Sequence, residues 1–398
     1  NDDDSDDDGL LDGQEVPLME NGEPCVIPTA AVTPFSQDVS DAIDAGLEWM
    51  DREYDGLGQP RDPAAGLMAL TLLEKRKSAR ANAPTQGYLG ASAADRAEID
   101  RLIDHLIFRA RGRPIDAVYV YGTDLMALSL YYQTGGSREE AVLNAIVRNF
   151  DGLIAAQKDS GYWCYTEFDL HTCADASSSS FALAGLAAAR GVFARPEVDA
   201  GGRLATLDAA AARARQAYND NGLNVSGNEG TGILPALDPV ELGHGYWPCP
   251  GWDGVSCPTI RPLFRFQPSY AQTAGGLMGQ LIGGAGVDDP GVQAYSRWLY
   301  NRYRYIDIEP APGRGPWRKS HFLYLWASTK TNLFVEKLGG APIGGALYPD
   351  DLGELDPGAA PVNDTRQTHL DPASVVRPAS RGAGGAGFYA GETPRWYF

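Results

Sequence analysis

The chain has 398 residues, an apolar fraction of 43% and a formal charge of −19. That is enough for one large domain or two ordinary ones, with apolar content to bury a sizeable core. An acidic balance with a pI near 4.6 argues against nucleic acid and anionic membrane surfaces as partners, because both would repel it. No apolar run reaches the roughly 18–20 residues that span a bilayer, so no transmembrane segment is expected.

The chain begins at Asn1 without a signal-like apolar stretch, which reads as a mature or excised fragment. Residues 1–15 carry the most specific motif. Asp4, Asp6, Asp8, the Leu10 carbonyl, Asp12 and Glu15 stand where a calcium loop places its oxygen ligands, and Gly9 stands at its sharp turn. Calcium is large and hard, and clustered carboxylates need a cation to sit together. The plain alternative is a solvated acidic tail. The arrangement resembles the calcium repeats of thrombospondin type 3, which implies an exported, secreted or cell-surface protein.

Residues 16–37 are Pro-rich and aperiodic and read as a linker. Helical patterns then alternate with loops. Ser40 is expected to cap a helix running to about Tyr54. Asp62-Pro63 opens one through Leu67, Leu70 and Leu73. Ser92 begins a helix with Ile99, Leu102, Ile103 and Leu106 on one face. Further helices are expected from Asp124 to Gly135, Arg138 to Gln157, Asp175 to Gly191, Gly202 to Tyr218, Ser269 to Ile282, Pro290 to Tyr305 and Lys319 to Leu338. Residues 219–267 interrupt the pattern as an insertion, and residues 339–398 form an irregular Gly- and Pro-rich arm. Asp124 and Asp175 stand about 51 positions apart, as do Tyr270 and His321. A period of about 50 with two helices per unit means helical hairpins that bury their apolar faces only by stacking.

The five cysteines are Cys25, Cys164, Cys173, Cys249 and Cys257. Two close pairs, Cys164–Cys173 and Cys249–Cys257, suggest small disulfide loops in an exported protein, leaving Cys25 buried or joined to another chain.

Gln157, Gly161 and Trp163 form Q-x3-G-x-W, followed by Asp175-Ala-Ser-Ser-Ser-Ser-Phe-Ala-Leu-Ala-Gly-Leu186 and by Thr273-Ala-Gly-Gly-Leu277. Over roughly residues 38–338 this resembles the prenyltransferase and squalene-oxidase repeat family. The resemblance implies an all-α fold, an α/α toroid of about five helical hairpins with irregular N- and C-terminal extensions. It also places catalytic or metal groups at one mouth, where inner helices begin.

The family's chemistry fits this chain poorly. Terpene cyclases of the alkene-protonating class carry D-x-D-D at the mouth, but here that string occurs only at Asp4–Asp7. Protein prenyltransferases hold zinc with D-x-C and a later His, whereas this chain has Asp175-Ala-Ser177. A zinc site rebuilt from Cys173, Asp175 and His171 or His321 is chemically admissible, but it competes with the Cys164–Cys173 disulfide and is disfavoured.

Asp124 and Asp175 are expected at helix N-termini, where a carboxylate caps free N–H groups. They could instead form a cavity pair for acid–base work on a glycan or isoprenoid, with His321 as a third member. Among the aromatics, Tyr119, Tyr121, Tyr131, Tyr132, Tyr162, Trp163 and Trp326 are expected mainly between helices. Tyr246, Trp247 and Trp252 are expected to be displayed. The reading is an exported, calcium-stabilised binding or structural module that engages a polysaccharide or partner protein. An enzyme, or a self-assembling surface subunit linked through Cys25 or the arm, are the alternatives.

Overall fold

The computed structural model describes residues 18–20, 23–25, 34–53, 64–79, 83–112, 117–136, 139–166, 173–198, 201–224, 240–248, 268–302, 326–327 and 330–331. The calcium loop, Cys249, Cys257, Trp252, His171, His321 and the arm 339–398 lie outside them.

Burial divides the helices into two kinds. α2 (Ala64–Glu74), α5 (Val118–Gln133), α7 (Ala176–Phe193) and α9 (Tyr270–Ile282) are apolar and small-residue-rich, and buried over most of their circumference. α4 (Ala93–Arg111), α6 (Glu139–Ala156), α8 (Arg203–Asp220) and α10 (Pro290–Arg302) each bury one stripe. A helix apolar all round needs neighbours all round. Accordingly α2 packs on α5, α5 on α7 and α7 on α9, forming an inner row. Behind it α4 packs on α2 and α6, α6 on α5, α8 on α9, and α10 on α9. The described architecture is all-α apart from one small antiparallel hairpin, β1 (Leu18–Glu20) with β2 (Glu23–Cys25), in which Leu18 faces Cys25. α1 (Pro34–Glu53) and the short α3 (Gly87–Gly90) complete the elements.

Several helix ends follow their capping chemistry. The Ser92 hydroxyl accepts from the Asp95 N–H at 3.0 Å, and the Ser269 hydroxyl accepts from the Gln272 N–H at 3.4 Å. Three expected boundaries move. α1 starts at Pro34, a residue suited to a first helical turn, so Ser40 lies inside the helix and the linker ends earlier. α8 runs on to Asp220. α5 starts at Val118, because Val118–Tyr121, with Val118 and Val120 buried, is itself helical and the Val118 N–H donates to the Tyr165 carbonyl at 2.8 Å. The 51-residue spacing measured from Asp124 therefore does not connect equivalent helix starts. The flanks of the insertion are also more ordered than its aperiodic sequence suggests. Leu223 pairs with Gly243 and Gly245 with Pro268, and Glu241 and His244 are fully buried.

The Gln157–Trp163 motif joins three helices, α8, α6 and α7, the last through the Trp163 N–H, which donates to the Ser179 hydroxyl at 2.9 Å. Gln157 Nε2 donates to the Gly161 carbonyl and to the Ala210 carbonyl of α8, both at 2.9 Å. Gly161 takes φ +83°, and a Cβ there would lie 2.6 Å from the Arg213 carbonyl oxygen, so glycine is required twice over. The buried Trp163 indole donates to the Leu153 carbonyl of α6 at 2.7 Å. The inner row is drawn tight in the same way. A Cβ on Gly122 of α5 would stand 2.4 Å from the Phe181 carbonyl oxygen of α7, and one on Gly185 would stand 2.7 Å from the Gly122 carbonyl oxygen.

Residues 326, 327, 330 and 331 are helical and touch three inner helices. The Trp326 ring stacks on Phe181 of α7 at 4.8 Å, the Thr331 hydroxyl donates to the Ala274 carbonyl of α9 at 3.3 Å, and Lys330 pairs with Glu74 at the end of α2.

Candidate functional site

Asp124 lies in the second turn of α5, not at its start. It is 2% exposed and held by Arg109 of α4, which is 9% exposed. Arg109 Nε donates to Oδ2 at 2.8 Å, and Nη2 donates to Oδ1. This is the two-pronged geometry in which a guanidinium matches a carboxylate. Burial pushes the Asp124 carboxyl up to about 6, with Arg109 offsetting part of the rise. Both carboxylate oxygens are engaged, so the arrangement is that of a buried structural ion pair.

Asp175 is different. It caps α7: Oδ1 accepts from the Ser178 N–H at 2.7 Å and from the Ser177 hydroxyl at 2.6 Å. Its own N–H donates to the Trp163 carbonyl at 2.9 Å, closing a bridge between the two segments. The residue is fully buried, which raises its pKa. The Ser177 hydroxyl, the Ser178 N–H and the Tyr246 hydroxyl offset part of that rise. The Tyr246 hydroxyl acts on this carboxylate electrostatically, and Oδ2 is buried without a hydrogen-bond partner.

Two tyrosines act on this carboxylate from outside the helix, Tyr165 and Tyr246, and each meets a further aromatic. The Tyr165 and Tyr246 hydroxyls share a hydrogen bond. Tyr119 of α5 meets Tyr165 edge-on at 5.9 Å between ring centroids, and Tyr246 lies 6.0 Å from Trp247. Tyr165 is 45% exposed, and Tyr119, Tyr246 and Trp247 are half-buried. The Cys164–Cys173 disulfide pins the segment between them, with Tyr165 directly after one cysteine and Asp175 two residues after the other. The Ala176 N–H donates to the Tyr246 carbonyl at 3.1 Å, tying the flank of the insertion to the start of α7.

No family model, curated protein or solved structure matches this chain.

Asp124 and Asp175 do not come together. Gly122 meets Phe181 and Gly185, so Asp124 stands level with the middle of α7. At 1.5 Å per residue that is about 9–15 Å along the axis from Asp175. The Cys173 sulfur is committed to the disulfide. Among the described residues no group of three His, Cys, Asp or Glu side chains is placed to hold a metal.

A second buried polar group lies behind Asp175. Tyr162 Oη and His244 Nε2 are 2.8 Å apart, and His244 Nδ1 is 2.8 Å from the Gly245 carbonyl oxygen. A carbonyl only accepts, so Nδ1 carries a proton towards Gly245, while the single proton of the Tyr162 hydroxyl is shared between His244 Nε2 and the Ala217 carbonyl oxygen, 3.0 Å away. Burial lowers His244 to about 4, in keeping with a neutral ring.

Two residues escaped the sequence reading. Arg109 continues the Ile99–Leu102–Leu106 stripe by one more step of three, and a cation in register with a buried stripe signals a buried anion. Tyr165 gave a weaker sign, as an aromatic immediately after a loop-closing cysteine.

Proposed function

We propose that the chain is an exported, calcium-stabilised binding or structural module on an α/α-toroid scaffold, engaging a polysaccharide or a partner protein at the mouth where α5 and α7 begin. One observation carries the non-catalytic part of this reading: Asp124 is spent on Arg109, so the acid–base pair that the enzymatic alternative needs is not assembled. Support for the toroid comes from the contacts of Trp326, Lys330 and Thr331 with α7, α2 and α9, which bring the last of the described helical residues back to the first inner helix. The aromatic surface around Tyr165 supports a binding mouth, because Tyr offers a broad apolar face with a polar tip. The calcium loop at Asp4–Glu15 and the surface location rest on the sequence pattern.

The unpartnered Oδ2 and raised pKa of Asp175 favour a second reading, a single-carboxylate enzyme acting on a glycan or isoprenoid. The decisive experiment incubates the calcium-loaded chain with panels of both substrate classes and follows products by mass spectrometry. No turnover is the expected result. Turnover that vanishes in a folded Asp175→Asn variant would replace the binding reading with the enzymatic one.

A further inference from the structure

The Cys164–Cys173 disulfide joins residues with a sequence separation of only 9, and the residues flanking it are fastened to the body without it. Trp163, directly before Cys164, donates from its indole to the Leu153 carbonyl at 2.7 Å and from its N–H to the Ser179 hydroxyl at 2.9 Å. Asp175, two residues after Cys173, caps α7 through Oδ1. The Asp175 N–H donates to the Trp163 carbonyl at 2.9 Å and so binds the two flanks to each other. A backbone bridge therefore stands beside the disulfide. With the sulfurs parted, that bridge keeps Cys164 and Cys173 in register for re-closure.

Tyr165 is placed differently. It follows Cys164 directly and is 45% exposed. Its carbonyl accepts from the Val118 N–H at 2.8 Å at the start of α5, its hydroxyl shares a hydrogen bond with Tyr246, and its ring meets Tyr119 edge-on. The disulfide thus lies at the border between a flank anchored in the core and a tyrosine anchored at the surface. Cys164 is buried and Cys173 half-buried, so a reductant reaches the Cys173 side first.

We infer that the Cys164–Cys173 disulfide is a reversible redox fastener, which a dithiol opens to release Tyr165 from the start of α5 while α6, α7 and the Trp163–Asp175 bridge stay in place. One thiolate of the dithiol attacks the Cys173 sulfur, forming a mixed disulfide and expelling the Cys164 thiolate. The second thiol of the reductant then displaces Cys173. Two electrons pass to the chain, each cysteine takes one of the reductant's protons, and the dithiol leaves as its own disulfide. Oxidation by a disulfide runs the same exchange backwards. The inference holds whether or not the mouth binds a ligand.

Hydrogen exchange at single amides tests it, on the full calcium-loaded chain before and after dithiothreitol. The same measurement on Cys164→Ser/Cys173→Ser isolates this disulfide from any other. In the reduced parent and in the variant, the Val118 N–H should exchange roughly tenfold faster or more, while the Asp175 N–H keeps its protection. The melting midpoint should fall by only about 3–8 °C, the range for opening so short a loop in a chain of this size. Oxidised glutathione should restore the protection of Val118 in the parent. Equal losses at Val118 and Asp175, or a variant that does not fold, would make the disulfide a structural staple of the body instead. Unchanged exchange at Val118 would mean that Tyr165 is held without it. A disulfide that dithiothreitol cannot open in the folded chain, or protection that does not return, would likewise overturn the switch.

Discussion

Replacing one half of the Arg109–Asp124 pair should be far more damaging than replacing both. Burial raises the Asp124 carboxyl from 3.8 to about 6 even with the guanidinium in place. At about 1.4 kcal/mol per pH unit, the ionised carboxylate is roughly 3 kcal/mol worse off in this site than in water, so the ion pair does not repay its desolvation. Asp124→Asn nevertheless takes away the carboxylate that Arg109 grips with both prongs in a buried site, a change that costs about 3–5 kcal/mol. Arg109→Met alone should do similar harm by stranding the carboxylate. The double variant Arg109→Met/Asp124→Leu strands neither and should lie within about 1 kcal/mol of the parent, or above it. Urea unfolding at pH 7.5, with slopes checked for equality, measures all four chains. Additive losses in the double variant would refute the reasoning, as would an Asp124→Asn loss below about 1 kcal/mol. Wild-type titration gives a further check on sign. A carboxyl whose folded pKa is raised contributes stability that is complete below its unfolded value and fades as pH rises through about 6, and this component should vanish in Asp124→Asn.

Gly122→Ala would put a methyl group 2.4 Å from the Phe181 carbonyl oxygen. α5 and α7 must then separate, lowering stability by about 1–3 kcal/mol in thermal melts; a shift within the error of the parent would mean the two helices are not locked there. His244 gives a pH signature of the opposite sense to Asp124. Its folded pKa is depressed from 6.5 to about 4, so its contribution is intact above 6.5 and lost as pH falls through 4, to a total of roughly 3 kcal/mol. The stability difference between wild type and His244→Gln should slope across that window, and parallel curves would show that the ring is not the buried neutral group described.

The inner helices were legible because burial on every side leaves a one-letter signature. Ala64–Leu73, Val118–Tyr132 and Ala176–Ala189 read as apolar regardless of the turn on which the period is counted. Their starts were harder to place. Asp124 has the residue type and setting of an N-cap, and a single sequence cannot distinguish a carboxylate capping four free N–H groups from one buried by a cation on the preceding helix. Arg109 resolves the two, but only once α4 and α5 are known to be neighbours. Asp175 shows the converse case. Capping was read correctly from Asp-Ala-Ser-Ser, because the partners of a cap are local. The rest of its setting depends on Tyr246, 71 positions away across an aperiodic segment, and no pattern connects the two.

The packing of the inner row bears on why the carboxylates play different parts. Each inner helix meets the next through small residues, Gly122 against Gly185 and Gly275 against Ser180. Such close approach excludes larger side chains at those contact positions, and the buried charge of Asp124 in the middle of the row is met at once by Arg109. At the helix starts the segments diverge into the disulfide loop and the flank of the insertion, and the room that opens is filled by tyrosines. A carboxylate at that level can keep one oxygen uncommitted, because hydroxyls on mobile rotors can turn to meet it. The same tight packing that holds the helices together thus goes with an Asp124 committed to Arg109 in the middle of the row, whereas Asp175 sits at the end where the backbones part.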